Sequence, residues 1–320
     1  LDVLDDGEHA RLDGWANRAV LSRPGPVPVA IPEVFAAQVA RAPHAEAVTF
    51  EGQTLTYGEV DEAANRLANL LAVHGAGPGE YVGLLLPRSA DAIVAMLAVL
   101  KCGAAYVPMD PAVPAARLDF MLADAAPIAV ITTMELGPRL QGSGAAVIEV
   151  DDEAASPYPG TALVAPAADD IAYLIYTSGT TGVPKGVAIT HRNLTQVLES
   201  LPAGLSSGPG AVWSQWHSLV FDVSVWEIFG ALLHGGRLVI VPEAVAGSPD
   251  ELHDLLVTEK VDVIYQTPSA VSMLSPQGLE GAALVVAGEA CPGEEVARWA
   301  PGRVVQAASG PTEAAIHAAI

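Results

Sequence analysis

Residues 176–186 read YTSGTTGVPKG and hold the hydroxyls of Thr177, Ser178, Thr180 and Thr181, the glycines Gly179 and Gly182, and one lysine, Lys185. Glycines let successive backbone N–H groups turn inward and form a concave anion site. The hydroxyls add neutral donors and Lys185 adds a point charge, so the stretch has the chemistry to wrap polyphosphate. It is not a Walker loop, which needs four residues between its glycines and a Gly-Lys-Ser/Thr ending. Here Pro184 precedes the lysine and Gly186 follows it. A plain surface hairpin would use the glycines and hydroxyls, but it would have no need of the embedded lysine.

Two further stretches carry candidate chemistry. In FDVSVWE, residues 221–227, the spacing of Ser224 and Glu227 predicts a capping box at the start of a helix that runs through Leu233. Asp222 is left with no capping role beside Phe221, Val223 and Trp226, company a carboxylate avoids unless it is paired. A ligand ammonium would pair it, and so would a backbone contact in a half-exposed turn; the residues alone leave both open. In SGPTEAA, residues 309–315, Gly310-Pro311 reads as a sharp turn, with Thr312 as an N-cap and Glu313 as a first-turn acid. The functional alternative puts Thr312 on a phosphate oxygen and Glu313 on a Mg²⁺ that neutralises polyphosphate. His191, His217 and His234 lack metal spacing and read as packing or surface residues, and Trp213 and Trp216 as core.

The elements that must position these residues follow an alternating pattern. A short helical segment lies around Leu12 and Trp15, and a Pro-rich linker at 24–32 leads to a helix with Val34, Phe35 and Val39 on its buried stripe. A hairpin at 47–55 precedes a helix opened by Thr56 with Glu59 in a capping box. Strands are expected at 81–86, 105–108, 128–132, 147–150, 171–175, 187–190, 211–214, 237–241, 262–267, 283–287 and 303–307, separated by helices. This βα alternation predicts an α/β fold with mixed or parallel sheets in two similarly wound subdomains plus a small β region. The expected organisation is a linker over 1–31, a first subdomain over 32–168 and a second over 169–320.

The net charge of −22 argues against nucleic acid as the main partner. An anionic ligand then needs local positive charge or a metal. The cysteines Cys102 and Cys291 have neither disulfide-framework nor metal spacing, which fits a reducing, cytoplasmic setting. No apolar run reaches membrane-spanning length. The acidic start without Met reads as a domain cut from a longer polypeptide.

Taken in order, these motifs resemble those of the amino-acid adenylation domains of non-ribosomal peptide synthetases, within the acyl-adenylate-forming superfamily. LTYGEV at 55–60, LKCGAAYVPMD at 100–110, YTSGTTGVPKG, FDVS and GPTE follow one another as the family's motifs do. The resemblance implies that an amino acid and Mg-ATP react to aminoacyl-adenylate and pyrophosphate, and that the acyl group then passes to a carrier-protein phosphopantetheine. It implies that Thr177, Ser178, Gly179, Thr180, Thr181, Gly182 and Lys185 hold the β- and γ-phosphates, Thr312 the α-phosphate and Glu313 the Mg²⁺. Asp222 would pair with the substrate α-ammonium. Val223, Trp226, Tyr265, Val285, Ala287, Ala308, Ile316 and His317 would line the side-chain pocket, which suits an aromatic or hydroxylated amino acid. Gly288, Ala308, Ser309 and Gly310 would flank adenine and ribose.

Partners implied are carrier-protein and condensation domains of one assembly line, with a small MbtH-like activator as an optional addition. The family's Asn-Ala-Tyr is Ala307, Ala308 and Ser309 here, so an aromatic platform worth roughly 0.5–1.5 kcal/mol is missing. The family's small C-terminal lid, with its catalytic lysine, would lie beyond Ile320, so impaired turnover is expected of this chain. The alternatives are an acyl- or aryl-CoA ligase of the same superfamily, which Asp222 disfavours, and a degenerate scaffold module.

Overall fold

A computed structural model describes residues 4–16, 27–150, 153–178, 183–201 and 204–316. Its strands, in chain order, are β1 (Glu46–Phe50), β2 (Gln53–Thr56), β3 (Tyr81–Leu85), β4 (Ala105–Met109), β5 (Ala129–Thr132), β6 (Ala146–Glu149), β7 (Ile171–Thr177), β8 (Lys185–Thr190), β9 (Val212–Gln215), β10 (Arg237–Ile240), β11 (Val263–Gln266), β12 (Ala283–Val286) and β13 (Val305–Ala307). They form a seven-stranded sheet in the order β13-β12-β11-β9-β10-β1-β2 and a six-stranded sheet in the order β6-β5-β3-β4-β7-β8. Every pairing is parallel except the β1–β2 and β7–β8 hairpins at one edge of each sheet. The two sheets are thus similarly built, as the βα alternation predicts.

The sheets do not divide at residue 168. The early hairpin β1–β2 completes the later sheet through the parallel β1–β10 pairing, and the β7–β8 hairpin completes the earlier one through β4. Hydrophobic pattern reveals a strand's existence but not its neighbour, which is why this exchange is invisible in one dimension.

Local signals fix the helices around the sheets. The Tyr57–Val73 helix starts at the expected capping box: Thr56 Oγ1 accepts from Glu59 N–H at 3.3 Å and Glu59 Oε2 accepts from Thr56 N–H at 2.8 Å. Ser89 caps the Ala90–Lys101 helix through Ala92 N–H at 3.1 Å. Gly103, at φ +86°, supplies the left-handed residue that ends it. These helices, with His191–Glu199 and Asp222–Leu232, pack into one large hydrophobic cluster that draws on both sheets. Two smaller clusters cover the opposite faces, one beneath Trp299 and one beneath the Ala115–Ala125 helix. Among the described residues no helix is long and apolar enough to cross a membrane.

Candidate active site

The functional stretches converge beyond the C-terminal ends of the strands, where open α/β sheets place ligands. The β7–β8 register sets Thr177 opposite Lys185, so the two ends of the phosphate-type loop are fixed by a hairpin ladder. Gly186 follows because a Cβ there would press into the Leu174 side chain. Lys185 Nζ donates to Glu313 Oε1, joining residues far apart in sequence. That hydrogen bond is the first reason the Glu313 carboxyl lies below the usual carboxylate range. Both side chains are about half exposed, at 52% and 47%, and therefore open to a ligand. The Thr177 hydroxyl is buried with no hydrogen-bond partner among the described residues. Gly179, Thr180, Thr181 and Gly182 lie outside the described residues.

The capping box expected of Ser224 and Glu227 does not form. The Asp222–Leu232 helix begins three residues earlier than that reading requires, with Phe221 as N-cap and no side-chain cap. Ser224 Oγ instead donates to Phe221 C=O at 2.7 Å. Glu227, one turn too deep to reach the N-cap, is fully buried. It accepts from Trp216 N–H at 3.4 Å and His217 N–H at 3.2 Å, and lies 2.9 Å from His217 Nδ1.

Asp222 is the helix's first residue. Burial raises its carboxyl above the ordinary range, opposed first by a hydrogen bond from the Thr312 side chain and then by one from the Val223 backbone. Thr312 is consequently not the N-cap of the short 3₁₀ turn Thr312–Ala314, a position taken by Pro311. Its hydroxyl is engaged by Asp222 because the turn after β13 packs against the helix start.

Asp222, Thr312, Thr177 and Ser178 share the wall of one cavity of about 440 Å³. Its far side is Asp110, Val113, Arg117 and Met121, from the β4 end and the helix after it. Sequence reading passed over this wall. The available signal was an arginine in the first turn of a helix that follows a strand end. Tyr176 lines the same cavity and is held by a 2.6 Å hydrogen bond to Asp124. Phe221, 60% exposed, also lies on the cavity wall.

Most of the residues expected to line a side-chain pocket belong to the large hydrophobic cluster. Trp226, Tyr265, Val285, Ala308 and Ile316 are buried in one cluster, with Val223 and Ala287 packed against it. Tyr265 lies between Trp226, at 5.3 Å between ring centroids, and His217, at 5.4 Å. Its hydroxyl is raised above the ordinary range, chiefly by burial and then by the negative charges of Glu227 and Asp222. His217 thus belongs to this wall, not to the surface. Trp213 is core, as expected, and packs on Trp226 at 4.6 Å. Gly288 takes φ +88° just after β12, and Ser309 and Gly310 are exposed just after β13. His317 lies outside the described residues.

Among the described residues no three His, Cys, Asp or Glu side chains cluster as a metal set. A Mg²⁺ that arrives with polyphosphate asks less, because phosphate oxygens and water fill most of its six positions and one or two carboxylates suffice. Glu313, exposed and beside Lys185, fits that demand.

Residues 35–320 match the AMP-binding enzyme family. The chain is 61% identical, over its whole length, to part of the isonitrile lipopeptide synthase of Mycobacterium tuberculosis, of which it covers 13%. It is 44% identical over 84% of its length to the dimodular nonribosomal peptide synthase of Bacillus subtilis, covering 12% of that protein. Among solved structures, the AMPPNP-bound form of the nonribosomal peptide synthetase FmoA3 superposes with a TM-score of 0.84 at 30% identity, over 91% of this chain and 32% of that one. The chain therefore spans about an eighth of these two curated relatives and a third of the solved one.

Proposed function

The chain belongs to the AMP-binding enzyme family, and from that membership we propose that it activates an α-amino acid with ATP, giving aminoacyl-adenylate and pyrophosphate. One observation carries this reading. A half-buried carboxylate, Asp222, shares a single cavity with the hydroxyls of Thr177, Ser178 and Thr312, so an ammonium and a phosphate chain would be held side by side.

In this reading Asp222 takes the substrate α-ammonium, which compensates a charge that burial otherwise disfavours. Thr312 turns its hydroxyl from Asp222 to the α-phosphate as the ammonium takes its place. Lys185, with Thr177, Ser178, Gly179, Thr180, Thr181 and Gly182, wraps the outer phosphates. Glu313 would hold a Mg²⁺, which when bound would supply charge neutralisation of the polyphosphate. Gly288, Ala308, Ser309 and Gly310 flank the nucleoside. No covalent bond to the protein is required: the residues hold carboxylate and α-phosphorus in line and stabilise developing charge.

Val223, Trp226, Tyr265, Val285, Ala287, Ala308, Ile316 and His317 select the side chain, with an aromatic or hydroxylated amino acid favoured. The activated acyl group then passes to the phosphopantetheine thiol of a carrier protein. Condensation domains lie in the same assembly line, and a small MbtH-like activator is a candidate partner. The test is thermal stabilisation of the folded chain by a panel of non-hydrolysable aminoacyl-adenylate analogues with Mg²⁺. Ligands that bind only the native state raise its stability by mass action. A selective shift with one or two side chains supports the reading, and no shift with any analogue refutes it.

A further inference from the structure

The cavity that holds Asp222 and Thr312 has one arginine in its wall, Arg117, in the first turn of the Ala115–Ala125 helix. The Arg117 backbone N–H donates to Pro114 C=O at 3.0 Å, but among the described residues its side chain has neither an ion pair nor a hydrogen bond. That is unusual in a chain of net charge −22 with 37 acidic and 15 basic residues. The contrast with other arginines is direct. Arg88 pairs with Glu243, Arg192 with Asp169 and Arg237 with Glu259, each at 2.6 Å. Arg117 is held available, and its platform is pinned. Arg139 donates to the carbonyls of Pro111 and, at 2.6 Å, of Val113, and Ala112 N–H donates to Asp110 Oδ1 at 2.7 Å.

The ligand-facing groups around Arg117 are complementary to an anion. Thr177 Oγ1 is buried without a partner, Ser178 lies beside it, and the helix N-cap is Pro114, which offers no side-chain acceptor to the first turn. The first turn of this helix holds no acid, so its positive dipole end is uncompensated. Two carboxylates share the cavity wall. Asp222 is engaged by Thr312, and Asp110 by Ala112 N–H.

We propose that Arg117 is a further anion-binding residue of this site and receives the pyrophosphate end of the nucleotide. The inference rests on the adenylation reading. As a substrate carboxylate oxygen bonds to the α-phosphorus, the bond from that phosphorus to its bridging oxygen breaks. The departing pyrophosphate keeps the electron pair and gains charge. A guanidinium fork matches two phosphate oxygens at once.

The test uses the whole chain, with Arg117→Ala and Arg117→Lys as variants and unfolding curves as the fold control. Two probes are titrated calorimetrically: inorganic pyrophosphate with Mg²⁺, and an aminoacyl-adenylate analogue, which lacks pyrophosphate. Arg117→Ala is expected to weaken pyrophosphate by about ten- to a hundred-fold. Arg117→Lys should recover part of that, and the adenylate analogue should change by less than about twofold. Unchanged pyrophosphate binding in Arg117→Ala, or equal weakening of both probes, overturns the inference. A parent chain that binds the analogue but not pyrophosphate overturns it too, while leaving the adenylation reading intact. Arg117-dependent pyrophosphate binding without analogue binding sustains the anion site and refutes that reading. Binding of neither overturns both.

Discussion

Asp222→Asn separates what the Asp222 carboxylate does for the fold from what it does for a ligand. The amide keeps the shape and can still accept from Thr312 and the Val223 backbone, the two largest of the hydrogen bonds that oppose burial in the parent. It removes only the charge. Without ligand that charge is a liability, because burial is the largest influence on this carboxyl and raises it above its ordinary value. A group whose folded value is raised is neutral in both states at low pH and costs nothing there. As pH rises through the raised value, the folded state acquires a desolvated charge and loses stability. Asp222→Asn should therefore unfold within about 1 kcal/mol of the parent at low pH and be no less stable near neutrality.

Ligand binding should respond in the opposite way. Truncating one partner of a buried charge pair costs about 2–5 kcal/mol, or roughly 30- to 4,000-fold in affinity. Parent affinity for an ammonium-bearing adenylate analogue should also fall as pH drops through the range in which Asp222 protonates. The assay is calorimetric titration of parent and variant with matched analogues that carry or lack the α-amino group. The parent should discriminate strongly between the two and Asp222→Asn hardly at all. An unchanged ratio between the two ligands in the variant would refute the ammonium assignment.

Three other expectations probe the scaffold. His191 is buried, with Nδ1 accepting from Ile31 N–H at 3.4 Å and Nε2 unpartnered among the described residues, and burial lowers its pKa from 6.5 to about 4. Stability from the neutral ring is complete above about 6.5 and is lost as pH falls towards about 4, on the order of 3 kcal/mol in all; urea unfolding of His191→Gln should show a flatter dependence across that window. Cys102 is buried and its thiol is pushed up to about 11, so iodoacetamide at mildly alkaline pH should label the partly exposed Cys291 in the native chain and reach Cys102 only on unfolding, as mass spectrometry would show. Gly230→Ala gains about 1 kcal/mol of helix propensity, but its methyl would overlap the Trp213 ring; overpacking of about 1–3 kcal/mol or more should win and lower the unfolding midpoint, with a change in tryptophan fluorescence.

By itself the sequence determined which chemistry is present and which elements carry it. Residues 176–186 declare their anion-binding groups through composition alone. The Thr56 and Ser89 caps and the βα alternation are local signals, set by hydrogen bonds a few residues apart and by side-chain periodicity. Such signals also mislead locally. Ser224 and Glu227 have the spacing of a capping box, but burial against Trp216 and His217 gives Glu227 a stronger set of donors inside the fold. Only the tertiary structure decided which strands exchange between sheets, that Thr312 spends its hydroxyl on Asp222, that Lys185 meets Glu313, and that the Arg117 side chain stands in the same cavity as Asp222 without a partner among the described residues. These are contacts between residues dozens to more than a hundred positions apart. They depend on how two packed sheets align their strand ends, and no pattern confined to a short window of the chain carries that information.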